Sequence, residues 1–292
     1  MKYAAIDIGT NAARLLIGEV IQHNGYAYVQ KLSYTRVPLR LGMDVFNDGI
    51  IPIEKQKMFV KTIKAFKLIA DVYGVKATRA CATSAMREAS NGVEVQSEIL
   101  KKTGVNIEII GGEEEGNLIF STFSLISRDK KKPFIVIDVG GGSTEITIFE
   151  NGQKIAGKSF RVGTIRLLKE KVASDLWEEL NTWLEQHIPD GAHFEVYGTG
   201  GNINKLHKLL EKKFMEPIEK EELHNIYLTL SNLTLADRID QFLLKPDRAD
   251  VIVPACQIYY SVLHKINATE ILVPKIGLSD GLIYQMHLDQ ID

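Results

Sequence analysis

The chain has 292 residues, of which 45% are hydrophobic and 25% are charged. This is the composition of a globular protein long enough for two domains with separate cores. The formal net charge of −2 provides no overall field that would attract nucleic acid. No apolar run approaches the ~18 residues that suggest a membrane span, so neither nucleic acid nor a membrane is expected as a partner.

The two cysteines and the N-terminus predict a cytoplasmic location. Cys81 and Cys256 stand in unrelated apolar stretches, which is typical of buried thiols in a reducing compartment rather than of a disulfide. The first residues enter a strand pattern at once and do not have the shape of a signal peptide.

In the first part of the chain, strand patterns alternate with helix patterns. Strands are predicted at residues 3–8, 13–21, 26–34, 75–81 and 105–110, and helices at 53–73, 91–103 and 113–127. Between the second and third strands, Asn24-Gly25 predicts a hairpin turn of type I′. A basic stretch at residues 128–132, followed by Pro133, then marks a boundary.

The second part opens with the same pattern as the first. Strands are predicted at residues 134–139, 144–150, 153–161, 194–197 and 271–273, and helices near 164–187, from 202, and near 219–231, 248–266 and 278–289. Strands interleaved with helices predict an α/β architecture.

Two glycine-rich turns occupy equivalent places in the two parts. The first reads Asp-Ile-Gly-Thr-Asn at residues 7–11, and the second reads Asp-Val-Gly-Gly-Gly-Ser-Thr at residues 138–144. Each follows a short apolar run and leads into another strand that reaches an Asn-Gly pair. Aligning the two copies pairs Asp7 with Asp138 and Arg14 with Glu145. This repeat predicts a duplicated domain whose halves face each other across a cleft.

The chemistry of these turns suits phosphate. A strand follows each of them, which argues against a nucleotide P-loop or a dinucleotide fold, since both need a helix there. Glycines let backbone N–H groups approach an anion closely, and hydroxyl groups add donors. The predicted phosphate contacts are Gly9, Thr10, Asn11, Gly140, Gly141, Gly142, Ser143 and Thr144. Asp7 and Asp138, at the ends of buried strands, are predicted to hold a divalent cation, for which Mg²⁺ is suited. The alternative is that Asp-x-Gly is an ordinary turn at a strand end.

Five motifs together resemble the exopolyphosphatase / guanosine pentaphosphate phosphohydrolase (Ppx/GppA) family, in order along nearly the whole chain. They lie at residues 7–14, 83–91, 112–116, 138–145 and 198–201. The resemblance implies an α/β fold of two duplicated actin-like (ribonuclease H-like) domains with an interdomain cleft. It also implies a short member of the family with domains at 1–125 and 126–292. The helix at about 278–292 is a candidate to pack back on the first domain.

The same resemblance implies roles for charged residues. Glu115 corresponds to the catalytic glutamate, which would deprotonate the attacking water; the alternative is that acids in a first helical turn complement the helix dipole. Asp138 and Glu145 correspond to positions that hold the metal. Arg87 corresponds to a residue that clasps terminal phosphate oxygens, and its alternative is a surface ion pair with Glu88.

Other predicted phosphate contacts each have a structural alternative. Arg14 lies on a strand beside the first turn, where it could equally face solvent. Gly200 and Gly201 precede a helix, whose N-terminus suits an anion, although Gly-Thr-Gly-Gly could be only a tight connection. Many relatives have a basic residue where this chain has Ser279, and Asp280 is expected to cap the helix that follows.

These observations predict a Mg²⁺-dependent exopolyphosphatase that releases orthophosphate from the end of inorganic polyphosphate. One alternative is hydrolysis of guanosine pentaphosphate to the tetraphosphate by the same residues. Another is a non-catalytic regulator that binds an alarmone or polyphosphate, and a sugar or acetate kinase is a third. A homodimer is left open.

Overall fold

The computed structural model describes residues 1–23, 26–125, 132–189 and 191–290, without the side chains of His23, Tyr26 and Ser124. The predicted Asn24-Gly25 turn and most of the basic boundary stretch lie outside the described residues. The chain divides into two compact units. Unit 1 comprises Met1–Arg128 and Ile276–Asp292, and unit 2 comprises Asp129–Lys275.

Unit 1 contains a five-stranded sheet. Its strands are β1 (Tyr3–Ile8), β2 (Ala13–His23), β3 (Tyr26–Val37), β4 (Ala77–Ala82) and β5 (Ile107–Ile109). Their order is β3-β2-β1-β4-β5. The first three strands form an antiparallel meander, and β4 and β5 continue in parallel from β1. The carboxyl ends of β1, β4 and β5 therefore meet at one edge of the sheet.

Five helices of unit 1 lie between these strands or directly after them. They are α1 (Leu41–Asp48), α2 (Ile53–Tyr73), α3 (Ser84–Glu88), α4 (Gly92–Thr103) and α5 (Gly112–Ser121). The prediction of α2 is confirmed, and the helix ends where Gly74 adopts a left-handed φ of 60°. The short helices α1 and α3 were not predicted. The helix predicted at 113–127 was too long, because a 3₁₀ turn replaces it at Thr122–Leu125.

Unit 2 repeats this sheet. Its strands are β6 (Phe134–Val139), β7 (Thr144–Glu150), β8 (Gln153–Phe160) and β9 (Glu195–Thr199), in the order β8-β7-β6-β9. Two further strands, β10 (Ile218–Glu219) and β11 (Glu270–Ile271), pair antiparallel, and a bridge from Tyr197 to Leu272 continues the parallel side. β1 and β2 have the same register as β6 and β7, with Asp7 opposite Arg14 and Asp138 opposite Glu145.

Seven helices complete unit 2 within its described residues. They are α6 (Thr164–Leu168), α7 (Ser174–His187), α8 (Gly201–Leu209), α9 (Lys220–Ser231), α10 (Leu235–Phe242), α11 (Pro246–Ala249) and α12 (Ile252–Lys265). The single helix predicted near 164–187 was wrong, because Glu170 takes a left-handed φ of 54° between α6 and α7. The helix predicted near 248–266 is likewise two, α11 and α12. The sequence reading missed α10.

The last helix, α13 (Leu278–Leu288), belongs to unit 1 and packs on β1, β2 and α5. Its Gly281 permits a close approach, since a Cβ there would lie 2.1 Å from the carbonyl oxygen of Leu118 on α5. Asp280 caps the helix as predicted by accepting from the N–H of Gly277 at 3.1 Å. Burial raises the pKa of Asp280, and the ammonium of Lys31, which lies 2.9 Å from one carboxylate oxygen, opposes that rise.

The cysteines behave as predicted. Cys81 and Cys256 are free and buried, and burial raises the pKa of each thiol to about 12. In the described parts of the chain, no helix combines the length and apolar character that crossing a bilayer requires.

Candidate active site

The first predicted turn joins β1 to β2 and is held against α1. The Gly9 N–H closes the turn by donating to the carbonyl three residues later, at 3.1 Å. The Arg40 N–H donates to the carbonyl of Asn11 at 2.9 Å, and the Gly42 N–H donates to that of Thr10 at 3.0 Å. These bonds use the turn's carbonyl oxygens, so the start of α1 fixes the turn in place.

The second motif of the sequence lies beside this turn. The hydroxyls of Thr10 and Ser84 are hydrogen-bonded at 3.0 Å, and the Thr83 N–H donates to the carbonyl of Ile8 at 3.1 Å. Since β1 and β4 are parallel, their carboxyl ends bring the two motifs together within unit 1.

Arg87 anchors a neighbouring loop through part of its side chain. Its Nη1 donates to the carbonyl oxygen of Ile110 at 2.7 Å, and the Ile110 N–H donates to Ala82 at the end of β4 at 3.0 Å. Both bonds hold the segment that leads into α5. The phosphate contact predicted for Arg87 stays a prediction, and it concerns the other nitrogens of the guanidinium.

Asp7 and Arg14 form an ion pair on the two strands that flank the first turn. Asp7 is buried, with 5% of its surface exposed, so its charge has a cation beside it in a site of low solvent access. This pairing was not among the alternatives considered for Arg14. The metal contact predicted for Asp7 stays a prediction, and any metal there would compete with a guanidinium.

The second turn is fastened to the start of α6. The Gly140 N–H donates across the turn to Ser143 at 2.9 Å, as its counterpart does in the first turn. The N–H groups of Thr164 and Ile165 donate to the carbonyls of Gly140 and Gly141 at 3.0 and 2.8 Å. The turn thus has the same internal hydrogen bond as the first and the same kind of support from a following helix.

Two side chains complete this support. The Nε of Arg166 donates to the carbonyl oxygen of Gly142 at 2.6 Å, and the hydroxyl of Thr144 donates to that of Val162 at 2.6 Å. Thr144 is fully buried. The proton of the Thr144 hydroxyl is therefore used within the turn, and the phosphate contact predicted for Thr144 stays a prediction.

Asp138 and Glu145 place two carboxylates together. They lie opposite each other on β6 and β7, with a carboxylate oxygen of each within 4.8 Å of one from the other. Glu145 has 5% of its surface exposed and accepts a hydrogen bond from the Ser159 hydroxyl at 2.7 Å. At the first turn an aspartate lies opposite an arginine, whereas at the second turn an aspartate lies opposite a glutamate. Two carboxylates are a set of ligands suited to a divalent cation.

The loop between β9 and α8 lies against Asp138. Gly200 has a φ of 97°, and a Cβ there would lie 2.6 Å from the Asp138 carboxylate. At Gly201, where α8 begins, a Cβ would lie 2.6 Å from Nη2 of Arg248. The Nη1 of the same guanidinium donates to the side-chain oxygen of Asn202 at 2.9 Å. The N-terminus of α8 and the guanidinium of Arg248 therefore lie next to each other, which is the arrangement expected of a site that binds an anion.

Sequence reasoning missed Arg248 and Tyr259, which support this loop. Arg248 comes from α11, in a stretch with no motif of its own. The Tyr259 hydroxyl on α12 donates to the carbonyl of Thr199 at 2.5 Å and accepts from the Val139 N–H at 3.3 Å. Burial raises the pKa of Tyr259 well above its usual value, and nearby Asp138 adds to the rise. The phenol therefore stays protonated and joins the ends of β6 and β9.

Glu115 lies in the first turn of α5, where the sequence placed it. Its N–H donates to the carbonyl of Gly111, the residue before the helix, at 3.0 Å. The same turn carries Glu113 and Glu114. Unit 1 thus brings the first turn, Arg87 and Glu115 to the carboxyl ends of neighbouring strands, and unit 2 does the same for the second turn and the β9–α8 loop.

Comparisons with known proteins identify the family of this chain. The model of the Ppx/GppA phosphatase family matches residues 19–290 of this chain. The chain is 24% identical to Exopolyphosphatase 1 of Mycobacterium bovis, over 97% of this chain and 87% of that protein. It is 29% identical to the Bifunctional 3-dehydroquinate synthase/phosphatase of Fusobacterium nucleatum, over 92% of this chain. The match spans 44% of that longer protein.

Solved structures share the whole fold. An exopolyphosphatase from Cytophaga hutchinsonii superposes with a TM-score of 0.84 at 25% identity, covering 100% of this chain and 99% of that one. The Ppx/GppA family member from Aquifex aeolicus gives a TM-score of 0.79 at 22% identity, with the same coverage. The predicted α/β fold of two actin-like domains is confirmed. Given a family match across nearly its full length and these superpositions, the chain belongs to the Ppx/GppA phosphatase family.

Proposed function

We propose that this protein is an exopolyphosphatase, which hydrolyses the terminal phosphoanhydride bond of inorganic polyphosphate and releases orthophosphate. The observation that carries the proposal is the carboxylate pair of Asp138 and Glu145, which lies beside a glycine turn in a family of phosphatases. Relatives described as exopolyphosphatases cover almost the whole chain, which supports this choice of substrate.

The carboxylate pair fits a divalent cation such as Mg²⁺. Both ligands are oxygens from adjacent strands, and Ser159 orients one of them. Mg²⁺ is usually bound by one or two carboxylates together with water and phosphate oxygens. When bound, the cation would neutralise the negative charge of the phosphate oxygens. Asp7, which pairs with Arg14, is proposed to orient that guanidinium, in place of the metal contact predicted from the sequence.

Phosphoryl transfer needs positioning and charge stabilisation more than covalent chemistry. In the proposed reaction, Glu115 accepts a proton from a water whose oxygen attacks the terminal phosphorus. The bond from that phosphorus to the bridging oxygen breaks, and the shortened chain leaves with the electron pair. Backbone N–H groups of the two glycine turns and the guanidinium groups of Arg14, Arg87 and Arg248 would bind the phosphate oxygens.

Glu115→Gln tests this proposal, with Glu113→Gln as a control in the same helical turn. Phosphate release is measured from long-chain polyphosphate and, separately, from guanosine pentaphosphate, with Mg²⁺ and with a chelator. We expect Glu115→Gln to lose at least about two orders of magnitude in turnover, as for removal of a general base. The control should change by less than about threefold, which is under about 0.7 kcal/mol in activation free energy.

The outcomes separate the alternatives. Faster phosphate release from guanosine pentaphosphate than from polyphosphate would replace the proposed substrate by that nucleotide while leaving the chemistry intact. Full turnover by Glu115→Gln would contradict its role as the base. Binding of either polyanion by a wild-type protein that releases no phosphate would instead identify a regulator.

A further inference from the structure

Arg79 on β4 grips a carboxylate of the neighbouring strand with a two-pronged hydrogen bond. Its Nε lies 3.1 Å from both carboxylate oxygens of Glu108 on β5, and its Nη2 lies 2.7 Å from one of them. The Arg79 side chain is 23% exposed, and the hydrogen bond to Glu108 raises its pKa further above its usual value. The guanidinium is therefore a permanent charge held in one orientation.

The same guanidinium reaches the helix that carries the proposed base. Its Nη2 lies 3.6 Å from a carboxylate oxygen of Glu114, which belongs to the first turn of α5. Glu114 immediately precedes Glu115, so their Cα atoms are about 3.8 Å apart. A displacement of the Glu114 backbone is therefore passed to Glu115 through the peptide bond that joins them.

Other contacts hold the rest of α5. Arg87 and Ala82 bind the backbone of Ile110 before the helix, and Gly281 of α13 packs on Leu118 in its middle. These contacts set the position of the loop and the helix axis. The ion pair from Arg79 to Glu114 differs from them, because it acts on a side chain within the turn that carries Glu115.

We propose that Arg79, oriented by Glu108 and paired with Glu114, is a positioning residue that sets the placement of the Glu115 carboxylate. This inference rests on the proposed function, because it takes Glu115 as the base. A displacement of about 1 Å in a reacting group can lower a rate by about 100-fold. By contrast, partly exposed ion pairs typically contribute little to stability. The variant is therefore expected to affect catalysis more than folding.

Arg79→Met is compared with Lys212→Met, which removes a similar pairing in unit 2, where Lys212 contacts Glu222 at 2.7 Å and Glu216 at 3.6 Å. The experiment measures kcat and KM on whichever substrate the wild-type protein hydrolyses, together with Tm. We expect Arg79→Met to lower kcat by about 10- to 100-fold with KM changed by less than about threefold. Lys212→Met should keep its kcat.

Two milder variants test the same proposal and remain informative if Arg79→Met does not fold. Arg79→Lys keeps the charge but cannot make the two-pronged bond, so its kcat should lie between those of wild type and Arg79→Met. Glu114→Gln leaves the pair of Arg79 and Glu108 in place and weakens only the link to α5. We expect about a 3- to 10-fold fall in its kcat, which converts to about 0.7 to 1.4 kcal/mol.

Several results would overturn the inference. One is an Arg79→Met protein with a kcat within about threefold of wild type, and another is an equal loss of kcat in Lys212→Met. If Arg79→Met does not fold, unchanged kcat values in Arg79→Lys and Glu114→Gln decide against it. These failures leave Glu115 as the base when Glu115→Gln is inactive, whereas an active Glu115→Gln removes both that role and this inference.

Discussion

The two glycine turns of this protein have the same backbone hydrogen bond but differ in the charge of the side chains that flank them. In both, the N–H of the first glycine bonds across the turn, at 3.1 Å for Gly9 and 2.9 Å for Gly140. In both, an aspartate on the incoming strand stands opposite a charged residue on the outgoing one. That residue is Arg14 in the first copy and Glu145 in the second.

This single difference implies different tasks. An aspartate beside a guanidinium forms a neutral pair that can present donors to phosphate. An aspartate beside a glutamate forms a site of negative charge that favours a cation. The comparison shows that the two copies keep the same turn backbone. The residue opposite the aspartate, Arg14 or Glu145, determines whether the turn suits an anion or a cation.

The largest expected effect comes from the acidic turn. Asp138→Asn should lower Mg²⁺-dependent turnover by about 10²- to 10³-fold, the size of loss seen when one electrostatic contact to a transition state is removed. Titration with Mn²⁺ should show weakened metal binding as well. Asp7→Asn is the matched variant in the other turn and should leave Mn²⁺ affinity unchanged. Equal weakening of Mn²⁺ binding by both variants would end the distinction between the turns.

Stability should respond with opposite signs in the two turns. Arg14→Met leaves buried Asp7 without its cation, so we expect the free energy of unfolding to fall by about 2–4 kcal/mol. Glu145→Gln removes one of two like charges on facing strands and should keep or raise stability in metal-free buffer. Urea denaturation at neutral pH measures both. A loss of similar size in each variant would contradict the assignment of charge.

The helix that supports each turn offers a third comparison. A Cβ at Gly42 would lie 2.2 Å from the Thr10 methyl group, whereas one at Gly163 would lie 2.5 Å from the backbone of Gly141 and Gly142. A methyl group can move more readily than a backbone. We expect Gly42→Ala to cost about 1–2 kcal/mol and Gly163→Ala about 2–3 kcal/mol in unfolding free energy. Gly277→Ala, which meets open space, is the control, and the reverse order would count against a rigid second turn.

The smallest effect concerns the first glycine of each turn. A Cβ at Gly9 would lie 3.4 Å from its nearest backbone oxygen, an ordinary contact, and one at Gly140 would lie at 3.1 Å, a tight one. Gly140→Ala should therefore be less stable than Gly9→Ala by less than about 1 kcal/mol. Differential scanning calorimetry can detect a difference of this size through Tm. If Gly9→Ala proves the less stable of the two, the turns differ in shape as well as in charge.

Much of the fold follows from local patterns in the sequence. The bounds of α2 could be predicted because its apolar spacing is regular and Gly74 ends it. The repeated strands could be predicted because each glycine turn interrupts two apolar runs. In contrast, α10 was missed although Thr234 and Asp237 form a capping box at its start. This helix has only eight residues and none of them is buried, so it offers fewer apolar positions than the longer helices that the spacing identified.

The site was only partly predictable, for a physical reason. Residues within a motif, such as Asp138 and Glu145, meet through the register of adjacent strands, which the sequence pattern indicates. Arg248 donates a hydrogen bond to Asn202, which lies 46 positions away in the sequence. No local sequence pattern predicts a contact at that separation. Arg87 bonds to a backbone carbonyl, which any residue could supply, so its partner leaves no mark in the sequence.

The contact between Gly281 and Leu118 has a consequence for how the protein is made. Residues 276–292 complete unit 1, yet they leave the ribosome only after all of unit 2. Until then, the surfaces of β1, β2 and α5 that α13 covers are without their partner. A nascent chain therefore carries the glutamate helix without its α13 contacts until residues 278–288 have been synthesised.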